Sequence, residues 1–276
     1  MSTGTPKRAI NPLSVREYDE TYMFDLQGYL LLPGAVTQGH LDSLNQEIDA
    51  YRDIQPDEWR GCVHCQMHHP KRGLNLQNVV EGGLPFEELI DHPVWIDKVR
   101  NFVGESEGLF IDENFVSVRG PGESINLHSG GASRNIRSQF RYHDGKFHCG
   151  MINILLALTD IGPGDGATLI VPSSHKSNLP HPTLRGDYKD LMGTSADGAI
   201  GAVEVHIKAG DAILFVDALA HGSAERKNSG ERRVVVYRYG PRWSNTRFGY
   251  QPSSELLQRL NPTRRSIIQP IAPLLP

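Results

Sequence analysis

Two histidines stand at the ends of strand-like runs far apart in the chain, His128 in NLHSGG and His221 in FVDALAHGS, 93 positions further on. Distant strand ends can meet inside a two-sheet barrel. Two imidazoles offered there suit ferrous iron, with open positions left for a co-substrate and dioxygen. Arg232 comes eleven positions after His221 and opens the run RRVVVYRY. A guanidinium at the mouth of such a barrel can clasp a carboxylate through two parallel hydrogen bonds, as a dicarboxylate co-substrate requires. Asn153 is the polar residue of MINILLAL and shares a strand face with Met151, Leu155 and Ala157. It reads either as a hydrogen-bonding group for co-substrate or substrate, or as a satisfied internal amide.

A second cluster, Cys62, His64, Cys65, His68 and His69, falls within eight residues. Two thiolates and an imidazole at that spacing can hold a structural zinc ion; the alternative is a loop whose histidines face a pocket or water. Two glycine motifs carry less. GESEG at 104–108 matches a nucleophile elbow, but an elbow needs a strand before it and a helix after it, and here the order is reversed, so a surface turn is expected. GPGDG at 162–166 lacks the Gly-Lys-Ser/Thr ending of a phosphate loop and runs into a strand, which predicts a tight hairpin turn.

The elements that must position these groups change character along the chain. Residues 1–13 lack periodicity and read as a mobile arm. A helix-like pattern covers 14–25 with Ser14 as a candidate cap, and GYLLLP at 28–33 reads as a strand. A second helix follows, capped by Thr37, with Leu41, Leu44, Ile48 and Tyr51 at helical spacing. Residues 55–83 read as a long irregular loop, and 86–103 as helix interrupted by Pro93. Short β-type runs then dominate at 109–118, 124–127, 148–158, 167–171, 203–207, 212–216 and 232–239. After them a tail, 241–276, wraps the barrel around one helix-like piece at 253–260. Helices first and many strands after predict a mainly β protein, a jelly-roll barrel with helices packed outside, over 14–276 as a single domain.

The chain has 276 residues, ample for a proper core, and a net charge of −4, which argues against a generic nucleic-acid binder. Three cysteines are too few and odd in number for a disulfide framework. The opening MSTGTPKRAINP lacks the apolar core of a signal peptide, and the apolar run near 154–158 is too short to span a membrane. A cytoplasmic protein without a membrane partner is expected. Arg134, Arg137, Arg141, Arg238, Arg242 and Arg247 flank the proposed pocket and point to an anionic or highly polar substrate, or else form a solvated basic face.

Four segments together resemble one family. DLQGYLLLPGAVT, ALTDIGPGDGATLIVPSSHKSN, AGDAILFVDALAHGS and GERRVVVYRY are similar to segments of the phytanoyl-CoA dioxygenase family of iron(II)/2-oxoglutarate oxygenases, the last three in family order. The resemblance spans most of residues 20–240. It implies a double-stranded β-helix with His128 and His221 on iron and Arg232 on the 2-oxoglutarate carboxylate. Ser223 would stand beside the co-substrate, and His175 would have a structural role. It further implies that iron(II), 2-oxoglutarate and dioxygen together hydroxylate an unactivated C–H bond of a small molecule, releasing succinate and CO2.

One departure bears on the chemistry. The family's first motif is His-x-Asp/Glu, whereas His128-Ser129-Gly130 has glycine at the acid's place. Chloride can fill the vacated position, as in the family's halogenating members, making chlorination the runner-up outcome. Alternatively an acid from elsewhere completes the site, with Asp144 the nearest candidate and Asp112, Glu113 and Asp217 behind it. Two further readings remain: His143 or His148 as the first histidine, and loss of iron and catalysis, leaving a 2-oxoglutarate- or zinc-binding module.

Overall fold

The structure, a computed structural model, describes residues 15–104, 108–122, 124–128, 138–184, 196–244 and 251–269. The arm expected at 1–13, the candidate cap Ser14, and Gly130, Arg134, Arg137 and Arg247 lie outside the described residues.

Helix α1 (Val15–Gln27) precedes strand β1 (Tyr29–Leu32), joined by Gly28 at φ +83, a left-handed conformation that glycine adopts without strain. Helix α2 (Gln38–Asp49) starts where the Thr37 hydroxyl accepts the His40 N–H, and it buries Leu41, Leu44 and Ile48. Pro93 separates α3 (Leu84–Glu87) from α4 (Ile96–Val103), whose Phe102 stacks on Phe24 of α1 at 3.7 Å. The tail forms α5 (Ser254–Arg259), capped by Ser253, and α6 (Pro262–Ile268), capped by Asn261. The second of these was not expected. Among the described residues no helix is long and apolar enough to cross a membrane.

Residues 55–83, expected as an irregular loop, instead hold β2 (Trp59–Arg60), β3 (Val63–His69) and β4 (Gly73–Gln77). The remaining strands are β5 (Leu109–Arg119), β6 (Ile125–His128), β7 (Tyr142–His143), β8 (Lys146–Phe147), β9 (Ile152–Ala157), β10 (Thr168–Ile170), β11 (Val203–Val205), β12 (Ala212–Val216), β13 (His221–Ser223) and β14 (Arg232–Pro241). An eight-stranded sheet runs β1-β12-β9-β14-β5-β4-β3-β2, a four-stranded sheet runs β11-β10-β13-β6, and β7-β8 is a separate hairpin. The pairings are antiparallel, and the two sheets form the double-stranded β-helix jelly roll.

Three contacts fix which faces of the two sheets meet. The Arg232 side chain reaches Thr168, that of Arg119 reaches Ser223, and the Phe215 ring lies edge-on to His221 at 4.8 Å. Side chains alternate between faces along a strand, so the pairing register carries the assignment from strand to strand. Arg238 pairs with Asn153 and Glu113, and Asn153 pairs with Phe215. Phe115 pairs with Gln77, Gln77 with His64, and His64 with Trp59. All of these face the interior of the roll or its continuation. The opposite face carries Leu74, Leu76, Val116 and Val118, buried in the main core.

Of the glycine motifs, GPGDG forms the expected turn. The Asp165 N–H donates to the Gly162 carbonyl, and the segment runs into β10. The 104–108 motif follows α4 and precedes β5, and residues 105–107 lie outside the described set.

Candidate active site

His128 ends β6 and His221 begins β13, and the two are direct cross-strand partners with ring centroids 4.1 Å apart. Each ring is fixed by the same local device. The His128 Nδ1–H donates to the Asn126 carbonyl at 2.8 Å, and the His221 Nδ1–H donates to the Leu219 carbonyl at 2.6 Å. With both Nδ1 atoms committed, both Nε2 atoms carry lone pairs, the form in which imidazole ligates a metal. His128 is exposed on the edge strand, whereas His221 is buried. Burial, followed by the neighbouring His128, pushes His221 down to about 3, so it stays neutral at physiological pH.

Arg232 and Arg119 are cross-strand partners on β14 and β5, 3% and 5% exposed. Arg232 donates from Nη2 to Thr168 Oγ1 at 3.2 Å, while its buried Nε has no partner among the described residues. Arg119 donates from Nη1 to Ser223 Oγ at 2.5 Å, and Ser223 Oγ also accepts the Ile125 N–H. Burial, with Arg119 and Arg226 nearby, lowers Arg232 to about 9, still a cation near neutrality. Arg226 is occupied in the Gly162–Gly166 turn, held by Asp165 and by the Ser229 and Gly230 carbonyls. Two adjacent buried guanidiniums, each bonded to its own hydroxyl, and a buried N–H with no partner among the described residues can cradle an anion.

Asn153 is 1% exposed; its Nδ2 donates to Asp217 Oδ1 at 3.4 Å, and its Oδ1 has no partner among the described residues. Arg238, across from Asn153, pairs with Glu113 at 2.6 Å and lies over the Phe115 ring, so its charge is compensated within the protein.

Two expectations are corrected. Asp144 lies in the β7–β8 turn at φ +53, its side chain 95% exposed and paired with His143, so it faces solvent and not the histidine pair. His143 stacks on His148 at the same hairpin. Among the described residues, no three His, Cys, Asp or Glu groups are arranged to hold a metal, and the side chains of Cys62 and Cys65 point away from a common zinc ion. Cys62 lies in the exposed turn before β3, Cys65 on β3 points into the core, and His64, its strand neighbour, faces the other way and stacks on Trp59. His68 donates to the Ile54 carbonyl, and His69 accepts the Lys71 and Arg72 N–H groups.

Of the weaker acid candidates, Asp112 lies on β5 with its side chain buried, Glu113 is taken by Arg238, and Asp217 is the one whose charge reaches His221. Arg119, Thr168 and Phe215 were missed in the sequence. Each lies on an ordinary strand and acquires its place only through register.

A family model for phytanoyl-CoA dioxygenase (PhyH) matches residues 24–234. The chain belongs to this family of iron(II)/2-oxoglutarate dioxygenases, which are oxidoreductases. It is 27% identical over 130 residues to the dioxygenase cdmD of Talaromyces verruculosus, covering 46% of this chain and 38% of that longer relative. It is 20% identical over 240 residues to a probable phytanoyl-CoA dioxygenase of Caenorhabditis elegans, covering 82% of this chain and 76% of the relative. The crystal structure of HygX from Streptomyces hygroscopicus with nickel and 2-oxoglutarate bound superposes with a TM-score of 0.67 at 26% identity, covering 83% of this chain and 88% of HygX. HygX has also been crystallised with iron and with hygromycin B.

Proposed function

We propose that this protein is an iron(II)/2-oxoglutarate-dependent oxygenase that hydroxylates an unactivated C–H bond of a small polar molecule. The observation that carries this reading is the cross-strand histidine pair with both Nδ1 atoms bound to backbone carbonyls. The residues fit the group: two preset Nε2 donors for iron, and beside them a buried cationic cradle with an unsatisfied N–H for a carboxylate. His128 and His221 would hold the metal. Arg232, supported by Arg119, Ser223 and Thr168, would hold the far carboxylate of 2-oxoglutarate. When bound, iron(II) and 2-oxoglutarate supply the activation of dioxygen, with release of succinate and CO2 and oxidation of the substrate C–H bond.

The chain's own part is orientation. The carbonyls of Asn126 and Leu219 hold the two rings in one tautomer, Phe215 packs against His221, and the buried sheet interior keeps water from the anion cradle. Asn153 and Asp217 offer hydrogen-bonding groups on the same interior face. The sequence His128-Ser129-Gly130 favours chlorination as the second reading.

The test is an anaerobic absorption titration of the apo-protein with iron(II) and 2-oxoglutarate, with and without chloride, followed by a succinate assay in air. A visible charge-transfer band with succinate formation, both lost in His221→Ala, is the expected result. A band that changes only with chloride would move the reading to chlorination. Absence of both band and succinate would reduce the protein to a non-catalytic binding module.

A further inference from the structure

The eight-stranded sheet is wider than the four-stranded sheet that faces it. Arg119 of β5 meets Ser223 of β13, and Ser223 meets Ile125 of β6, so β13 lies over β5 and the smaller sheet ends one strand further on, over β4, with His128 exposed on its edge strand β6. Strands β3 and β2 continue the larger sheet beyond that edge and, with β4 beneath it, form a shelf. Three strand steps from β5 to β2 amount to roughly 14 Å.

The side chains on this shelf differ from those on its back. The back is apolar and buried: Val63, Cys65, Leu74 and Leu76. The front carries Asn75 and Gln77 on β4 and Met67 opposite Asn75 on β3, with Gln66 at the bulge in β3 that brings it onto Gln77. Gln77 Nε2 donates to both Gln66 Oε1 at 3.0 Å and Asn75 Oδ1 at 2.9 Å. Among the described residues this amide ladder leaves the amide N–H groups of Gln66 and Asn75 and the carbonyl of Gln77 to meet a ligand. At the far end Trp59, 57% exposed, has one face stacked on His64 at 4.5 Å and 23°. At the near end the Glu113–Arg238 pair is internally neutral.

These groups discriminate between ligand chemistries. A phosphate or carboxylate would require uncompensated cations on this face, and an acyl chain would require a continuous apolar floor, whereas Met67 stands here among amides and the indole. Neutral donors and acceptors held side by side match hydroxyl groups, which both donate and accept. A flat indole with an open face matches the C–H side of a saturated ring. We infer that the shelf formed by Trp59, Gln66, Asn75 and Gln77 is the substrate subsite, and that it takes a hydroxyl-rich, sugar-like ring molecule whose reacting end reaches the His128–His221 pair. The inference rests on the oxygenase reading and supplies its substrate class.

The test uses full-length protein loaded anaerobically with nickel(II) and 2-oxoglutarate. Probes are a panel of neutral and amino-substituted oligosaccharides and cyclitols, with palmitoyl-CoA as the counter-probe, read by saturation-transfer NMR and tryptophan fluorescence. Members of the panel are expected to bind saturably through their ring C–H protons. Trp59→Ala and Gln77→Ala should each weaken binding at least tenfold, Trp59→Phe should restore much of it, and 2-oxoglutarate affinity should stay unchanged in all three. Binding by no member of the panel, binding indifferent to both alanine variants, or preference for palmitoyl-CoA would overturn the proposal. Failure of 2-oxoglutarate to bind the wild type would count against the oxygenase reading alone, since panel binding can still be scored on the same sample.

Discussion

His128 and His221 are cross-strand partners, and each donates its Nδ1–H to the carbonyl two residues before it. The backbone that pairs the strands thus also sets the tautomer of both rings. A pair preset in this way would bind a metal without first having to be ordered.

Replacing either histidine by alanine should therefore remove tight metal binding while leaving the fold intact. Loss of even an outer partner of a metal ligand costs about 10- to 100-fold in affinity. His221→Ala and His128→Ala are accordingly expected to weaken nickel(II) or iron(II) binding by more than about 100-fold, measured by isothermal titration. Circular dichroism should be unchanged, and affinity within threefold of wild type would refute the assignment.

Arg119 and Arg232 should act on 2-oxoglutarate and not on the metal. A hydrogen bond to a charged group contributes about 1.5–3 kcal/mol, or roughly 10- to 100-fold in binding. Arg232→Ala and Arg119→Ala are each expected to raise the 2-oxoglutarate dissociation constant by that factor with metal affinity retained. Equal affinity in Arg119→Ala would restrict the cradle to Arg232.

His175 sets a pH dependence of stability. It is buried, donates from Nε2 to the Asp25 carbonyl at 3.0 Å and lies edge-on to Phe140. Burial lowers it from 6.5 to about 4, with Lys176 adding to the lowering and Asp25 opposing it. Above pH 6.5 both folded and unfolded states are neutral there, and its contribution is fully present. Between pH 6.5 and about 4 the unfolded chain takes up the proton and the folded chain does not, so stability falls as pH falls, by up to about 3 kcal/mol. His175→Gln should flatten urea midpoints across this window; an unchanged slope would assign the loss to other groups.

Gly28 is the position most exposed to a single methyl. A Cβ there would lie 2.4 Å from His175 Nδ1, on a backbone at φ +83. Overpacking and the left-handed conformation together predict a loss of about 2–4 kcal/mol for Gly28→Ala. Equilibrium urea unfolding checks this, and a change below about 0.5 kcal/mol would show that the ring moves aside freely.

Much of this molecule was legible in the sequence where burial is one-sided or complete. The long strands β5, β9, β12 and β14 read as β-type runs because their residues are β-branched or aromatic and buried. The capping residue Thr37 and the break at Pro93 were equally readable, since their effects are local. Strands β2 to β4 were not. Their inward positions, Val63, Cys65, Leu74 and Leu76, alternate with His64, Gln66, Asn75 and Gln77, residue types that are common in loops. The Cys and His spacing there suggested a zinc site because spacing alone does not show that neighbours in a strand point to opposite faces. The histidine pair and Arg232 were legible as types, but Arg119 came to Arg232 only through the β5–β14 register, which no local pattern announces.

The shelf has a further consequence that follows from where its strands lie in the chain. Strands β2, β3 and β4 come from one unbroken stretch between α2 and β5, whereas the histidine pair and the arginine cradle are gathered from β5, β6, β13 and β14. Recognition and reactivity are thus written in separate passages of the polypeptide. The front-facing residues between 59 and 77 can be exchanged without touching a reacting group, while Val63, Cys65, Leu74 and Leu76 behind them keep the core.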